Sequence, residues 1–184
     1  MDLPGRLVIL SGPSGVGKDT VLQAWGAANP RVERVVSYTT RLPRNGEVDG
    51  RDYRFVSCAQ FDELIARGAL LEHKVVHGNC YGTPLHAMEQ MLLDGKIAVL
   101  KIDVQGAADA MKLRPEALSI FLLPPDNETL ERRIRSRGTD SDAVISTRLE
   151  NARFELSCAR NYAARVVNDS IERVVRELEE LVGA

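Results

Sequence analysis

Residues Gly12-Pro13-Ser14-Gly15-Val16-Gly17-Lys18 set glycine, four residues, glycine and lysine into one short turn. The turn stands between a β-rich apolar run, Arg6 to Leu10, and a helical pattern from about Lys18 to Ala28. That is the context in which this spacing cradles phosphate. The glycines let backbone N–H groups point inward around a polyphosphate, and the helix directs its positive end at it. Lys18 is placed to reach the outer phosphates. A glycine turn that merely ends a strand is the plain alternative, and the flanking elements tell against it.

The next position departs from the usual pattern. A Ser or Thr normally follows the lysine, where its hydroxyl meets Mg²⁺; this chain has Asp19 and then Thr20. A shift of one residue turns the hydroxyl about 100° around a helix, so Thr20 is a poor simple replacement. A carboxylate can ligate Mg²⁺ itself. It can equally be a first-turn acid favoured by the helix dipole. Both readings stand.

The remaining pattern alternates strands with helices, which implies an α/β fold with a central parallel sheet covered by helices on both sides. Strands are expected at Arg34–Ser37, Asp52–Ser57, Leu70–Val76 and Arg165–Val167. Ile97–Ile102 and Leu118–Leu123, apolar on both faces, read as central strands. Helices are expected at about Ala59–Arg67, from Pro84 to Leu93 before Gly95, and over Glu128–Arg137, Asp142–Tyr162 and Ile171–Leu181. The stretch from about Ser37 to Thr83 breaks the alternation and reads as an inserted subdomain.

A chain of 184 residues suits one domain. Its 24 basic and 26 acidic residues leave a net charge of −2, against the basic excess that nucleic-acid coats and membrane-surface binders need. No apolar run approaches the roughly 20 residues of a membrane span, and the start does not read as a signal peptide. Cys58, Cys80 and Cys158 fit neither a disulfide framework nor a zinc site, so a cytoplasmic protein is expected. The basic residues are 19 Arg and only 5 Lys. Arginine's planar fork of donors suits phosphate.

Those arginines gather in telling places. SYTTRLPRNGEVDGRDYRFVS (residues 37–57) carries Arg41, Arg44, Arg51 and Arg54 in a stretch too hydrophilic for a core. With LLEHKVVHGNCYGT downstream it closely resembles the monophosphate-binding region of guanylate kinases. The resemblance continues through IDVQGA, IFLLPP, RIRSRGTD and VVND, and so covers nearly the whole chain. It implies a P-loop kinase fold with a core of residues 1–36 and 84–184, a GMP-binding subdomain at 37–83 and a small lid at 134–150.

It also implies roles, position by position. Ser37 matches a serine that reads guanine, Arg41 and Arg44 the pair that clamps the GMP phosphate, and Tyr53 and Tyr81 the tyrosines that donate to it. Glu72 matches the carboxylate that accepts from guanine N1–H and the exocyclic amine. An acceptor-only group suits two adjacent donors, which adenine does not present. Thr83 and Asp103 match the remaining groups near the base. Arg133 and Arg137, four apart on one helix face, and Arg148 resemble lid arginines that close over ATP; Asn168 and Asp169 resemble residues near the adenine. The family commonly has an acid where this chain has Lys101, two positions before Asp103. That loss makes Asp19 the attractive substitute carboxylate for Mg²⁺.

The implied activity is transfer of the γ-phosphoryl of ATP to GMP with Mg²⁺, in a monomer or homodimer binding neither nucleic acid nor membrane. Lys18, Arg41, Arg133, Arg137 and Arg148 would neutralise charge between the phosphates. A same-fold kinase acting on a sugar phosphate would not need Ser37, Glu72 and Thr83. A non-catalytic protein-binding relative would not need an intact loop with Lys18.

Overall fold

The computed structural model describes residues 4–76, 78–135 and 142–183, with the side chains of 142–144 left aside. β1 (Arg6–Ser11) lies at the centre of a five-stranded, all-parallel sheet. Around it run β2 (Val32–Arg34), β7 (Ile97–Lys101), β8 (Leu118–Leu123) and β9 (Ala164–Val167), in the order β2-β7-β1-β8-β9. The central strands are buried on both faces, as their unbroken apolar runs require. Val8 and Leu10 face one side with Val21 and Trp25 of α1 (Lys18–Ala28) and Val174 and Leu178 of α7 (Ile171–Gly183). Leu7 and Ile9 face the other, with Met88 of α3 (Leu85–Leu93) and Ala107 and Ala110 of α4 (Val104–Leu113). The alternation along one strand thus builds two core layers.

A second sheet occupies the insertion. β3 (Tyr38–Thr39), β4 (Arg54–Phe55), β5 (Leu70–Val76) and β6 (Asn79–Pro84) pair in the order β4-β3-β6-β5. β3 is parallel to β4 and antiparallel to β6, and β6 is antiparallel to β5. α2 (Cys58–Ala66) closes this unit, opened by a reciprocal cap between Ser57 and Gln60. α5 (Asn127–Arg135) packs on α6 (Asp142–Ser157) through Leu130, Ile134, Ile145 and Ala152.

The elements differ from the sequence expectation in specific ways. The strand expected at Arg34–Ser37 is two short ones, Val32–Arg34 and Tyr38–Thr39, because the chain leaves one sheet there and enters the other. The strand expected over Asp52–Ser57 shrinks to Arg54–Phe55. Pro84 occupies the N-cap position of α3, one residue before the first helical position expected for it. The long helix expected to Tyr162 ends at Ser157, followed by a 3-10 turn over Cys158–Asn161. β6 and α4 escaped prediction: Gly82 and Pro84 mask a strand, and the Gly and Ala residues of α4 soften its periodicity.

Candidate active site

The carboxyl edge of the parallel sheet carries the loops of the site, as crevices in open α/β sheets do. β1 runs into the glycine loop, where Gly12, Gly15 and Gly17 all adopt positive φ. Gly12 is forced: a Cβ there would lie 2.6 Å from the Leu122 carbonyl oxygen. Gly17 is the left-handed N-cap of α1. The carbonyl of Val16 accepts from Arg133 Nη1 at 3.0 Å and from Asn168 Nδ2 at 2.7 Å, so α5 and the end of β9 brace the loop. Ser14 N–H donates to Glu155 Oε2 at 3.1 Å, and Arg148 Nη2 approaches Ser14 Oγ at 3.5 Å. Lys18 Nζ folds over the loop, donating to the carbonyls of Gly12 and of Pro13, the latter at 3.1 Å. Burial lowers its pKa to about 8, against the opposing pull of Glu155.

Across the cleft stands a carboxylate pocket. Glu72, 8% exposed on β5, accepts from Thr83 Oγ1 of β6 at 2.6 Å. Burial, with Asp103 and Asp109 nearby, holds its carboxyl above the usual range in spite of the threonine hydrogen bond. Asp103 caps α4 by accepting from Gly106 N–H at 2.9 Å. A Cβ at Gly106 would sit 2.9 Å from Glu72 Oε2, so a side chain there would push that carboxylate aside. Ser37 is buried beside the same cleft.

Between loop and pocket lies a cationic cluster. Tyr53 meets Tyr81 edge-on, with ring centroids 5.9 Å apart, and the Arg41 guanidinium lies 5.5 Å from the Tyr53 centroid. Arg41 Nη2 pairs with Glu47 Oε1 at 2.8 Å, and Glu47 Oε2 accepts from Arg44 N–H at 2.7 Å. One cleft of about 740 Å³ touches Gly15, Gly17, Lys18, Asp19, Thr20 and Arg133 at one end and Ser37, Arg44, Tyr53, Glu72, Tyr81 and Asp103 at the other, with Asn168 and Asp169 on its rim. Thr83 reaches it through Glu72, and Arg41 lines a smaller adjoining cavity with Arg44, Tyr53 and Tyr81. Arg137 and part of the 134–150 segment lie outside the described residues.

Glu47, Glu155 and Arg34 are site residues that sequence reasoning missed. Glu47 directly follows the Asn45–Gly46 turn, where nothing local hints at a partner, and Glu155 lies in the last turn of α6, 141 residues from the loop amide it meets.

Mg²⁺, the ion the resemblance implies, finds a poor match in the protein groups. Lys101 Nζ donates to Asp19 Oδ1, and Arg34 Nη1 stands 3.8 Å from the same oxygen. Burial opposes ionisation of Asp19, yet the Lys101 ammonium, its hydrogen bond and Arg34 keep its carboxyl below the usual range. A carboxylate already matched by two cations offers little to a divalent ion. Among the described residues, no three His, Cys, Asp or Glu gather as a metal site.

A family model described as guanylate kinase matches residues 4–184. A guanylate kinase of a Nostoc species is 46% identical over 177 residues, covering 96% of this chain and 89% of the relative. One from Gloeobacter violaceus is 49% identical over 177 residues, covering 96% and 86%. The crystal structure of guanylate kinase from Anaplasma phagocytophilum superimposes with a TM-score of 0.79 at 34% identity, over 98% of this chain and 85% of that one.

Proposed function

The chain belongs to the guanylate kinase family, and on that premise we propose which residues serve each substrate. The activity is the family's: an ATP-dependent nucleoside monophosphate kinase that moves the γ-phosphoryl of ATP to GMP, giving ADP and GDP. The observation that supports the assignment is the single cleft with a glycine–lysine loop at one end and a buried, acceptor-only carboxylate at the other.

In this reading the loop from Gly12 to Thr20 holds the ATP phosphates, with Arg133, Arg137 and Arg148 closing on them and Asn168 and Asp169 beside the adenine. Ser37, Glu72, Thr83 and Asp103 read guanine. Arg41, Arg44, Tyr53 and Tyr81 hold its monophosphate; Glu47 keeps Arg41 aimed until that phosphate arrives. The acceptor oxygen is already anionic, so no general base is needed, and the work is positioning and charge neutralisation by Lys18 and the arginines. Residues 37–83 form the GMP-binding subdomain and 134–150 the lid, whose closure excludes water that would hydrolyse ATP.

Mg²⁺ belongs to this reading as an ion that arrives with ATP and is held by its phosphates; none of the roles above passes through it. No helix among the described residues is long and apolar enough to cross a membrane. With three unpaired cysteines and a charge of −2, the chain suits a cytoplasmic monomer or homodimer acting on small molecules.

A coupled assay of ADP formation with GMP, AMP, UMP and a sugar phosphate tests the assignment. GMP should be preferred by orders of magnitude over AMP, because adenine leaves Glu72 facing no pair of donors. Comparable turnover of AMP, or turnover of the sugar phosphate alone, would overturn it.

A further inference from the structure

Where the glycine loop meets the arginine–tyrosine cluster, Asp19 is joined by Lys101 and Arg34, two cations to which the reading above gives no role. Lys101 ends β7, so the carboxyl edge of the sheet delivers its ammonium into the cleft. Its side chain is only 9% exposed, while that of its partner Asp19 is 72% exposed. Nζ also stands 5.7 Å from the Tyr53 ring centroid. Arg34, at the end of β2, lies 5.3 Å from the same ring. One of its Nη groups donates to the Asp52 carbonyl, yet its Nε is buried with no hydrogen-bond partner.

This is an odd arrangement for a purely structural ion pair. Two largely buried cations share one exposed carboxylate, which leaves positive charge in excess and a guanidinium N–H unsatisfied. Buried groups of that kind are costly unless something pairs with them. Burial, and next the adjacent Arg34, already lower the proton affinity of Lys101. The group opens into a cavity of about 270 Å³ whose other walls include Arg41, Arg44 and Tyr81 with the carboxylates Glu47 and Asp52, so that four cations face three acids there. Surplus cations, an unpaired donor and a polar cavity together describe an anion site.

We propose that Lys101 and Arg34 bind the phosphate of the acceptor nucleotide, on the side nearest Lys18, and that Asp19 is the counter-ion this phosphate displaces. The inference rests on the reading of the cleft as the GMP and ATP site. The phosphate takes the hydrogen bonds that Asp19 accepts, and Asp19, already open to solvent, turns outward. Its oxygens then lie between Arg41 and Arg44 on one side and Lys101 and Arg34 on the other. No bond or proton moves in this step.

Calorimetry on the full chain, without ATP or Mg²⁺, tests it with GMP and with guanosine, which has the base and no phosphate. Lys101→Met should weaken GMP binding by at least about tenfold and leave guanosine unchanged; Lys101→Arg should hold GMP affinity to within about threefold. Asp19→Asn should tighten GMP binding by about threefold or more, because the competing anion is gone. Wild-type GMP affinity in Lys101→Met, or equal losses of GMP and guanosine, would overturn the proposal. So would unchanged or weaker GMP binding in Asp19→Asn, which stands even where Lys101→Met fails to fold. If the unmodified chain bound no GMP at all, the acceptor assignment itself would fall; GMP bound normally by both variants sinks only the role of Lys101 and Arg34.

Discussion

The amide of Ser14 donates to the carboxylate of Glu155 at 3.1 Å, so an anion already stands at the mouth of the loop that we assign to the ATP phosphates. Glu155 is also the largest charge favouring the Lys18 ammonium. Carboxylate and phosphate want the same donors. An incoming polyphosphate has to take that amide from Glu155, and the affinity observed for it is net of this exchange. Glu155→Gln keeps the shape and removes the charge. ADP affinity in the variant should rise by about threefold to tenfold, and the gain should shrink as KCl is raised. Calorimetry with ADP reads both. Unchanged or weaker ADP binding would make Glu155 a brace for α6 and not a stand-in for phosphate.

Lys18 carries a pH signature. Burial lowers its pKa from the ordinary lysine value of 10.5 to about 8. The sign follows directly: below about pH 8 the free chain presents an ammonium to ATP, and above it a neutral amine. Bound phosphates favour the charged form and push the transition higher. The profile of kcat/KM for ATP should therefore fall above about pH 8, while kcat, which reports the bound complex, should hold to higher pH. Coincident breaks in the two profiles would show that Lys18 does not feel the nucleotide. Lys18→Ala should lose most phosphoryl transfer and keep most GMP binding, because in this reading Glu72 holds the base and the arginines and tyrosines hold the GMP phosphate without Lys18.

Glu72 makes a sharper test of acceptor choice. Its Oε1 is occupied by the Thr83 hydroxyl at 2.6 Å, which leaves Oε2 for the base. In Glu72→Gln the amide that faces guanine turns from acceptor to donor. A buried donor then meets a donor, at a cost of roughly 1–3 kcal/mol. GMP turnover at low GMP should fall by about fivefold to a hundredfold or more, since each 1.4 kcal/mol is a factor of ten. The melting temperature should barely move, since Thr83 still finds an oxygen. Steady-state kinetics and a thermal melt decide it, and unchanged GMP kinetics would remove Glu72 from the base pocket.

The parts of this molecule that were legible from residues alone share one property. They depend on short-range chemistry. The loop from Gly12 to Lys18 is a local backbone device, and α1, β5 and β8 begin and end where the apolar periodicity does. The long-range pairings were less visible. The contact of Asp19 with Lys101 joins residues 82 apart, and only a topology that places β1 beside β7 brings them together. Arg34 looked like strand filler, because nothing local shows that β2 ends exposed to the cleft while β3 joins another sheet. Glu47 was equally hidden, since its role is to hold an arginine six residues away in a loop without regular structure.

Gly17 offers the last test, because here conformation and packing can be separated. Its φ of 101° lies in the left-handed region, which costs a residue with a Cβ about 1–2 kcal/mol. A Cβ at Gly17 would also lie 2.7 Å from Asn168 Nδ2, the group that donates to the Val16 carbonyl. Gly46, at φ 85°, has open space where its Cβ would be. Gly46→Ala therefore carries the conformational cost alone, and Gly17→Ala carries that cost plus displacement of Asn168. Gly46→Ala should lower the melting temperature by a few degrees, at about 2–4 °C per kcal/mol for a domain of this size. Gly17→Ala should lower it further, and should raise KM for ATP while leaving GMP affinity unaltered. The extra loss arises because Asn168 can no longer brace the loop in the shape that its amides need. Equal melting temperatures and an unchanged KM for ATP in the two variants would mean that the Asn168 contact yields freely, and that the loop keeps its form without the end of β9.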